Sequence, residues 1–148
     1  METTHNDMAT RDLIAYLAQF KGSYPDIEAW AVKTLTSQTR KLLSISANGR
    51  VGGLAVLRPG PQVKLCHLSV APRLQGRGFG STLFDGAIGI ARGMGSDTLR
   101  FSAPQSLLET YAQLFSSLGT KNRGLHHKQY RLEDPEMVCC IFLGRVLQ

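Results

Sequence analysis

Residues 68–83, Leu-Ser-Val-Ala-Pro-Arg-Leu-Gln-Gly-Arg-Gly-Phe-Gly-Ser-Thr-Leu, constrain this chain more than any other stretch. An apolar strand ends at a proline, glycines follow at alternate positions, and apolar residues then recur at helical spacing through Ala91. Strand, tight turn and helix in direct succession aim the unpaired N–H groups of the helix's first turn at one point beyond the strand's end. Gly76, Gly78 and Gly80 carry no Cβ, so the main chain can bend sharply and approach a ligand closely. The helix dipole adds attraction for an anion, and Arg73 and Arg77 add mobile positive charge. A diphosphate is the natural guest.

Spacing separates the kinds of glycine-rich phosphate turn. A dinucleotide fingerprint needs G-x-G-x-x-G directly after the strand, but Gly78-x-Gly80 is followed by Leu83, and residues 72–75 precede the first glycine. A P-loop needs a lysine before its hydroxyl residue, and Gly80-Ser81-Thr82 has none. What remains is Gln75-x-x-Gly78-x-Gly80 behind a strand ending Leu68-x-Val70-x-Pro72. This pattern resembles the Q/R-x-x-G-x-G/A acetyl-CoA-binding motif of the GNAT family of N-acetyltransferases.

At 148 residues and 43% hydrophobic content, the chain is the size of one domain, expected to span 1–148 and to bury a real core. The polar N-terminus lacks the basic and apolar segments of a signal peptide. The longest apolar run, residues 137–143, falls far short of the roughly 20 residues that cross a bilayer. A soluble, cytoplasmic protein is expected. Three cysteines, two of them adjacent at Cys139 and Cys140, argue against a disulfide framework, and neither they nor His126-His127 have the spacing of a metal site. No metal is expected.

The net charge of +6 is unevenly spread: between Ala29 and Phe84 there is no Asp or Glu, while Lys33, Arg40, Lys41, Arg50, Arg58, Lys64, Arg73 and Arg77 fall there. Such a field can steer a polyphosphate coenzyme, an acidic partner surface or nucleic acid, or serve simply as a solvated surface. Nucleic acid is the least favoured, because no aromatic-rich basic stretch is present to stack bases.

Periodicity places the turn in a frame. Residues 10–20 read as an amphipathic helix with Leu13, Leu17 and Phe20 on one face, and Pro25 opens a second helix through Leu35. Residues 40–47 and 51–57 read as a hairpin closed by Asn48-Gly49, followed by a strand at 63–70, the glycine helix to about Arg92, and a strand at 98–102. A helix over 105–118, stopped by Gly119, and strands at 124–132 and 136–143 complete the chain. This order matches the GNAT fold, provided that a first strand lies within residues 1–9. The expected class is mixed α+β, with a central mixed sheet of six to seven strands flanked by four helices.

The resemblance implies that the strand bearing Leu68 and the strand after the glycine helix splay apart, and that acetyl-CoA enters the gap as co-substrate. By analogy, the backbone of Leu68 polarises the thioester and that of Val70 bonds the pantetheine arm. Amides from Gln75, Gly76, Arg77, Gly78, Phe79, Gly80 and Ser81 hold the diphosphate. The implied activity is acetyl transfer to an amine, on a small molecule or a protein. Such a transfer needs a base for the ammonium and an acid for the departing thiolate, each worth about 10²–10⁴ in rate.

Here the chain departs from the pattern. Relatives place a proton-donating tyrosine where this chain has Phe115, and an asparagine where it has Leu108. Tyr111, one turn before Phe115, either reaches the thiolate or covers the pantetheine. The strand Val63-Lys-Leu-Cys-His-Leu-Ser-Val70 contains no carboxylate. His67 is the one side chain there with an ordinary pKa near neutrality, and is either a catalytic or substrate group or a hydrogen-bonded core histidine. Simple alternation sets His67 opposite Lys64 and Cys66, unless a bulge reverses that parity. Glu28, on the second helix, is a further candidate. A working N-acetyltransferase is the preferred reading. The alternative is a protein of the same fold that binds acetyl-CoA or a protein partner without turnover. The apolar last strand suits a homodimer contact.

Overall fold

In the computed structural model, residues 2–5, 10–22, 25–104, 121–128 and 136–142 are described, with side chains over 10–22 and 25–101. Seven strands form one sheet in the order β1-β2-β3-β4-β5-β7-β6. They are β1 (Glu2–His5), β2 (Lys41–Ala47), β3 (Arg50–Arg58), β4 (Val63–Val70), β5 (Thr98–Pro104), β6 (Lys121–Lys128) and β7 (Glu136–Phe142). Every neighbouring pair is antiparallel except β4 and β5. The helices among the described residues are α1 (Thr10–Ala18), α2 (Ile27–Leu35) and α3 (Phe79–Gly93). The expected helix over 105–118, with Leu108, Tyr111 and Phe115, lies outside the described residues. The weak first strand is β1, paired along β2 from Glu2↔Ser46 to His5↔Leu43.

The sheet has a core on each face, and β3 serves both. Its residues from Val51 to Leu57 are all buried, as a strand covered on two sides must be. On one face α3 sets Leu83, Phe84, Ala87 and Ile88 against Leu43, Ile45, Ala55, Leu57, Val63 and Leu65. On the other, Leu13, Tyr16 and Leu17 of α1 and Ile27, Ala31 and Leu35 of α2 cover Val51, Leu54 and Val56. The buried stripe of α2 runs through Ile27, Ala31, Thr34 and Leu35. Val32 therefore points outward at 51% exposure.

Local chemistry sets the connections. Asn48 (φ 54°) and Gly49 (φ 76°) both lie in the left-handed region, which a two-residue hairpin requires to match strand twist. The last turn of α1 tightens into i→i−3 bonds, Phe20 N–H to Leu17 C=O and Lys21 N–H to Ala18 C=O, and carries Phe20 back over the sheet. The apolar β7 lies between β5 and β6. Its main chain is paired on both sides, and the edge strands among the described residues are β1 and β6.

Candidate functional site

The glycine turn is held from below and open above. Ala71 N–H bonds Gly52 C=O at 2.8 Å, tying the chain to β3 as it leaves β4. Residues Pro72–Leu74 make one 3₁₀ turn whose Leu74 is buried beneath α1. Gln75 Nε2 reaches back to Val70 C=O at 3.2 Å. Gly76 (φ 78°) and Gly78 (φ 84°) occupy the left-handed region, where an L side chain costs about 1–2 kcal/mol. A Cβ at either would meet nothing within 4 Å, so the described residues leave the space above the turn unfilled. Gly80 differs, for it already belongs to α3, and its Cα faces Val70 with room for ordinary contact.

The first intrahelical bond of α3 runs from Thr82 N–H to Gly78 C=O. The N–H groups of Phe79, Gly80 and Ser81 precede that ladder, and no side chain caps them. Those of Gly76, Arg77 and Gly78 likewise have no acceptor among the described residues. Six successive main-chain donors at one place thus have no acceptor among the described residues. The first turn of α3 holds no acidic residue, and Arg73 and Arg77 are exposed beside it.

The turn stands at the mouth of a gap. Strands β4 and β5 pair only at Val63↔Leu99 and Lys64↔Arg100, while β5 stays paired with β7 through Pro104↔Glu136. From Leu65 to Val70, β4 therefore has β3 on one side and, among the described residues, no strand on the other. Its alternate backbone N–H and C=O groups on that side lack ladder partners, as on any strand edge. Leu68 and Val70 pack partly buried against the α3 core, and so does Phe79.

A bulge in β4 decides where His67 goes. Leu57 pairs with Leu65 and Val56 with His67, leaving Cys66 as an extra residue. One inserted residue reverses the alternation downstream, so His67 joins Lys64 and Cys66 on the face covered by α1 and α2. There it meets the rings of Trp30 (centroids 5.6 Å apart) and Phe20 (6.3 Å). Its Nε2 lies 2.7 Å from Ser69 Oγ, which in turn lies 2.8 Å from the Tyr16 hydroxyl. Burial pushes the His67 imidazole down from 6.5 to about 4. The ring is neutral at pH 7 and a far weaker base than an ordinary histidine. Burial pushes the Tyr16 phenol up to about 12, against smaller opposing effects of Ser69 and Arg73.

Sequence reasoning did not single out Ser69 or Tyr16. Ser69 follows His67 by two residues and so shares its face, a signal that was present. Tyr16 is 53 residues away from Ser69 in sequence, and no local pattern announces that contact. Glu28 is exposed and pairs with Lys21 at 3.8 Å. No group of three or more metal-ligating side chains occurs among the described residues, nor any helix long and apolar enough to cross a membrane.

Residues 10–119 match the model of the Acetyltransferase (GNAT) family. The chain belongs to that family. No curated protein sequence matches it, but solved GNAT-type structures superpose over nearly its whole length. An aminoglycoside 6'-N-acetyltransferase complexed with coenzyme A aligns at TM-score 0.77 and 13% identity, covering 100% of both chains. The ribosomal-protein-S18-alanine N-acetyltransferase of Escherichia coli aligns at TM-score 0.74 and 19% identity, over 99% of this chain and 96% of its own. A spermidine N-acetyltransferase variant from Vibrio cholerae aligns at TM-score 0.74 and 12% identity, over 100% and 98%. Those likenesses establish a common GNAT fold, the mixed α+β class expected from the order of elements.

Proposed function

We propose that this GNAT protein transfers the acetyl group of acetyl-CoA to a primary amine. The observation that carries this reading is the row of six N–H groups from Gly76 to Ser81 that have no acceptor among the described residues, set at the mouth of the gap between β4 and β5. Fixed donors at a helix N-terminus suit a diphosphate, and the residues present fit one: two left-handed glycines leave the approach clear, and Arg73 and Arg77 can neutralise the remaining charge. Gln75, Gly76, Arg77, Gly78, Phe79, Gly80 and Ser81 would hold the diphosphate. The unpaired edge of β4, at Leu68 and Val70, would bond the pantetheine arm and the acyl carbonyl.

Acetyl-CoA, when bound, supplies the acyl carbon as an activated thioester. The chain's task is to hold that carbon against a neutral amine, and positioning of this kind is worth several kcal/mol by itself. With no carboxylate on β4 and His67 a weak base, the ammonium loses its proton to water. Tyr111 remains the proposed proton donor to the thiolate.

Thiol release from acetyl-CoA, measured across amino acids, peptide N-termini, polyamines and aminoglycosides, tests the reading. Amine-dependent release above background is the expected result. Tight coenzyme binding by calorimetry with no release for any amine would instead support a second reading, a GNAT-fold protein that acts by binding, which the weak basicity of His67 favours. Absence of coenzyme binding would end both.

A further inference from the structure

Two hydroxyls lie in line with His67. The Ser69 Oγ is 2.7 Å from His67 Nε2 and 2.8 Å from the Tyr16 hydroxyl, so Ser69 links helix α1 to the bulged strand. Distances alone leave the direction of each bond open, but the chemistry of the groups selects one. A phenol is a stronger donor and a weaker acceptor than an alkyl hydroxyl, and burial keeps Tyr16 protonated. In the favoured order the Tyr16 O–H donates to Ser69 Oγ and the Ser69 O–H donates to His67 Nε2. Each hydroxyl then donates once, and the chain ends on a lone pair, an arrangement in which successive bonds strengthen one another. A neutral imidazole that accepts at Nε2 carries its proton on Nδ1. Among the described residues Nδ1 has no partner.

We propose that Tyr16 and Ser69 are positioning residues that lock His67 as the neutral Nδ1–H tautomer, so that the ring meets the amine substrate as a hydrogen-bond donor, and that the substrate carries a carbonyl or carboxylate oxygen beside its reacting nitrogen. This rests on the acetyl-transfer reading given above. The packing supports it: with Trp30 and Phe20 against the ring and Nε2 engaged, the imidazole has little freedom to turn. The charges around it point the same way. Lys64 shares the His67 face of β4 by register, and Glu28 on α2 is exposed and paired with Lys21. Cations near a neutral donor favour an oxygen-bearing acceptor, such as an amino acid or a peptide N-terminus, over a polyamine.

Nitrogen NMR of histidine-labelled protein reads the tautomer without any need for turnover, with the His67→Phe spectrum assigning the signal. The expected result is a neutral Nδ1–H ring from pH 5 to 8, preserved in Ser69→Thr and replaced by a tautomer mixture in Ser69→Ala. An Nε2–H ring in the wild type, or a tautomer indifferent to Ser69→Ala, overturns the proposal. Kinetics test the substrate class with L-alaninamide and isopropylamine, which differ by the carbonyl-bearing group; because the amide also makes alaninamide the weaker base, kcat/KM is expressed per concentration of unprotonated amine. The wild type should favour alaninamide in kcat/KM by about tenfold, the worth of one hydrogen bond to substrate, and Ser69→Ala and Tyr16→Phe should erode that ratio towards one. An unchanged ratio in both variants, a wild-type ratio near one, or transfer to neither amine refutes the acceptor assignment. Calorimetric affinity for acetyl-CoA should be the same in all of these variants. Loss of coenzyme binding in the wild type would sink the acetyl-transfer reading and leave the tautomer result standing.

Discussion

The glycine turn and the His67 cluster lie a few residues apart in sequence, and they are built from different materials. The turn works with main chain alone: two left-handed glycines and the first turn of α3 expose N–H groups, and side chains contribute chiefly by staying out of the way. The cluster consists of side chains drawn from α1, α2 and β4, and each ring or hydroxyl holds its place only because the others hold theirs. A main-chain site is therefore sensitive to any added Cβ and tolerant of distant truncation, provided that its helix stays docked. A side-chain cluster has the opposite sensitivities.

The largest expected effect tests the proviso. Phe84 of α3 is fully buried against the sheet and stacks edge-on with Phe101 at 6.1 Å. Phe84→Ala should cost about 3–5 kcal/mol, measured by chemical denaturation, and should weaken coenzyme binding only through the unfolded fraction. If affinity fell while the folded population did not, the turn would depend on side-chain packing and the contrast would break.

Next in size is the pH dependence of the cluster. A histidine whose pKa falls from 6.5 unfolded to about 4 folded binds its proton more readily in the unfolded chain. Its contribution to stability is full above pH 6.5 and is lost as pH falls towards 4, by on the order of 3 kcal/mol in total. Denaturation curves of the wild type and His67→Gln at pH 7 and pH 4 should show that much extra acid sensitivity in the wild type. Equal sensitivity would mean that the ring is not held neutral by its surroundings.

Gly78→Val probes the turn directly. The left-handed φ and the β-branch together cost about 1–3 kcal/mol, so the coenzyme dissociation constant should rise by up to about 100-fold, with the His67 tautomer unchanged. Gly49→Ala sharpens the comparison as a control, because Gly49 is left-handed but belongs to neither region. It should cost about 1 kcal/mol of stability and leave coenzyme affinity as it was. A parallel loss of affinity in the control would show that Gly78 acts through stability alone.

Much of the fold was legible because its signals are local. Asn48-Gly49 demands a hairpin, the periodicity of residues 10–20 and of the stretch after the glycines to about Arg92 demands helices, and Gln75-x-x-Gly78-x-Gly80 between strand and helix marks the turn, all without reference to distant residues. The outward turn of Val32 was not legible, since Ile27, Ala31 and Leu35 supply a competing stripe on the same helix. Nor was the interior place of β7, because strand order depends on which chain segments meet and not on their composition.

By itself the sequence determined the glycine turn: φ values and missing Cβ atoms are properties of individual residues, so a turn that exposes main-chain N–H groups can be read from a dozen letters. Only the tertiary structure decided the surroundings of His67. One inserted residue at Cys66 sets the face on which every later side chain of β4 lies, and the partners that then meet the ring, Tyr16, Phe20 and Trp30, arrive from helices remote in the chain. Register and long-range packing are collective choices, settled by burial over the whole sheet.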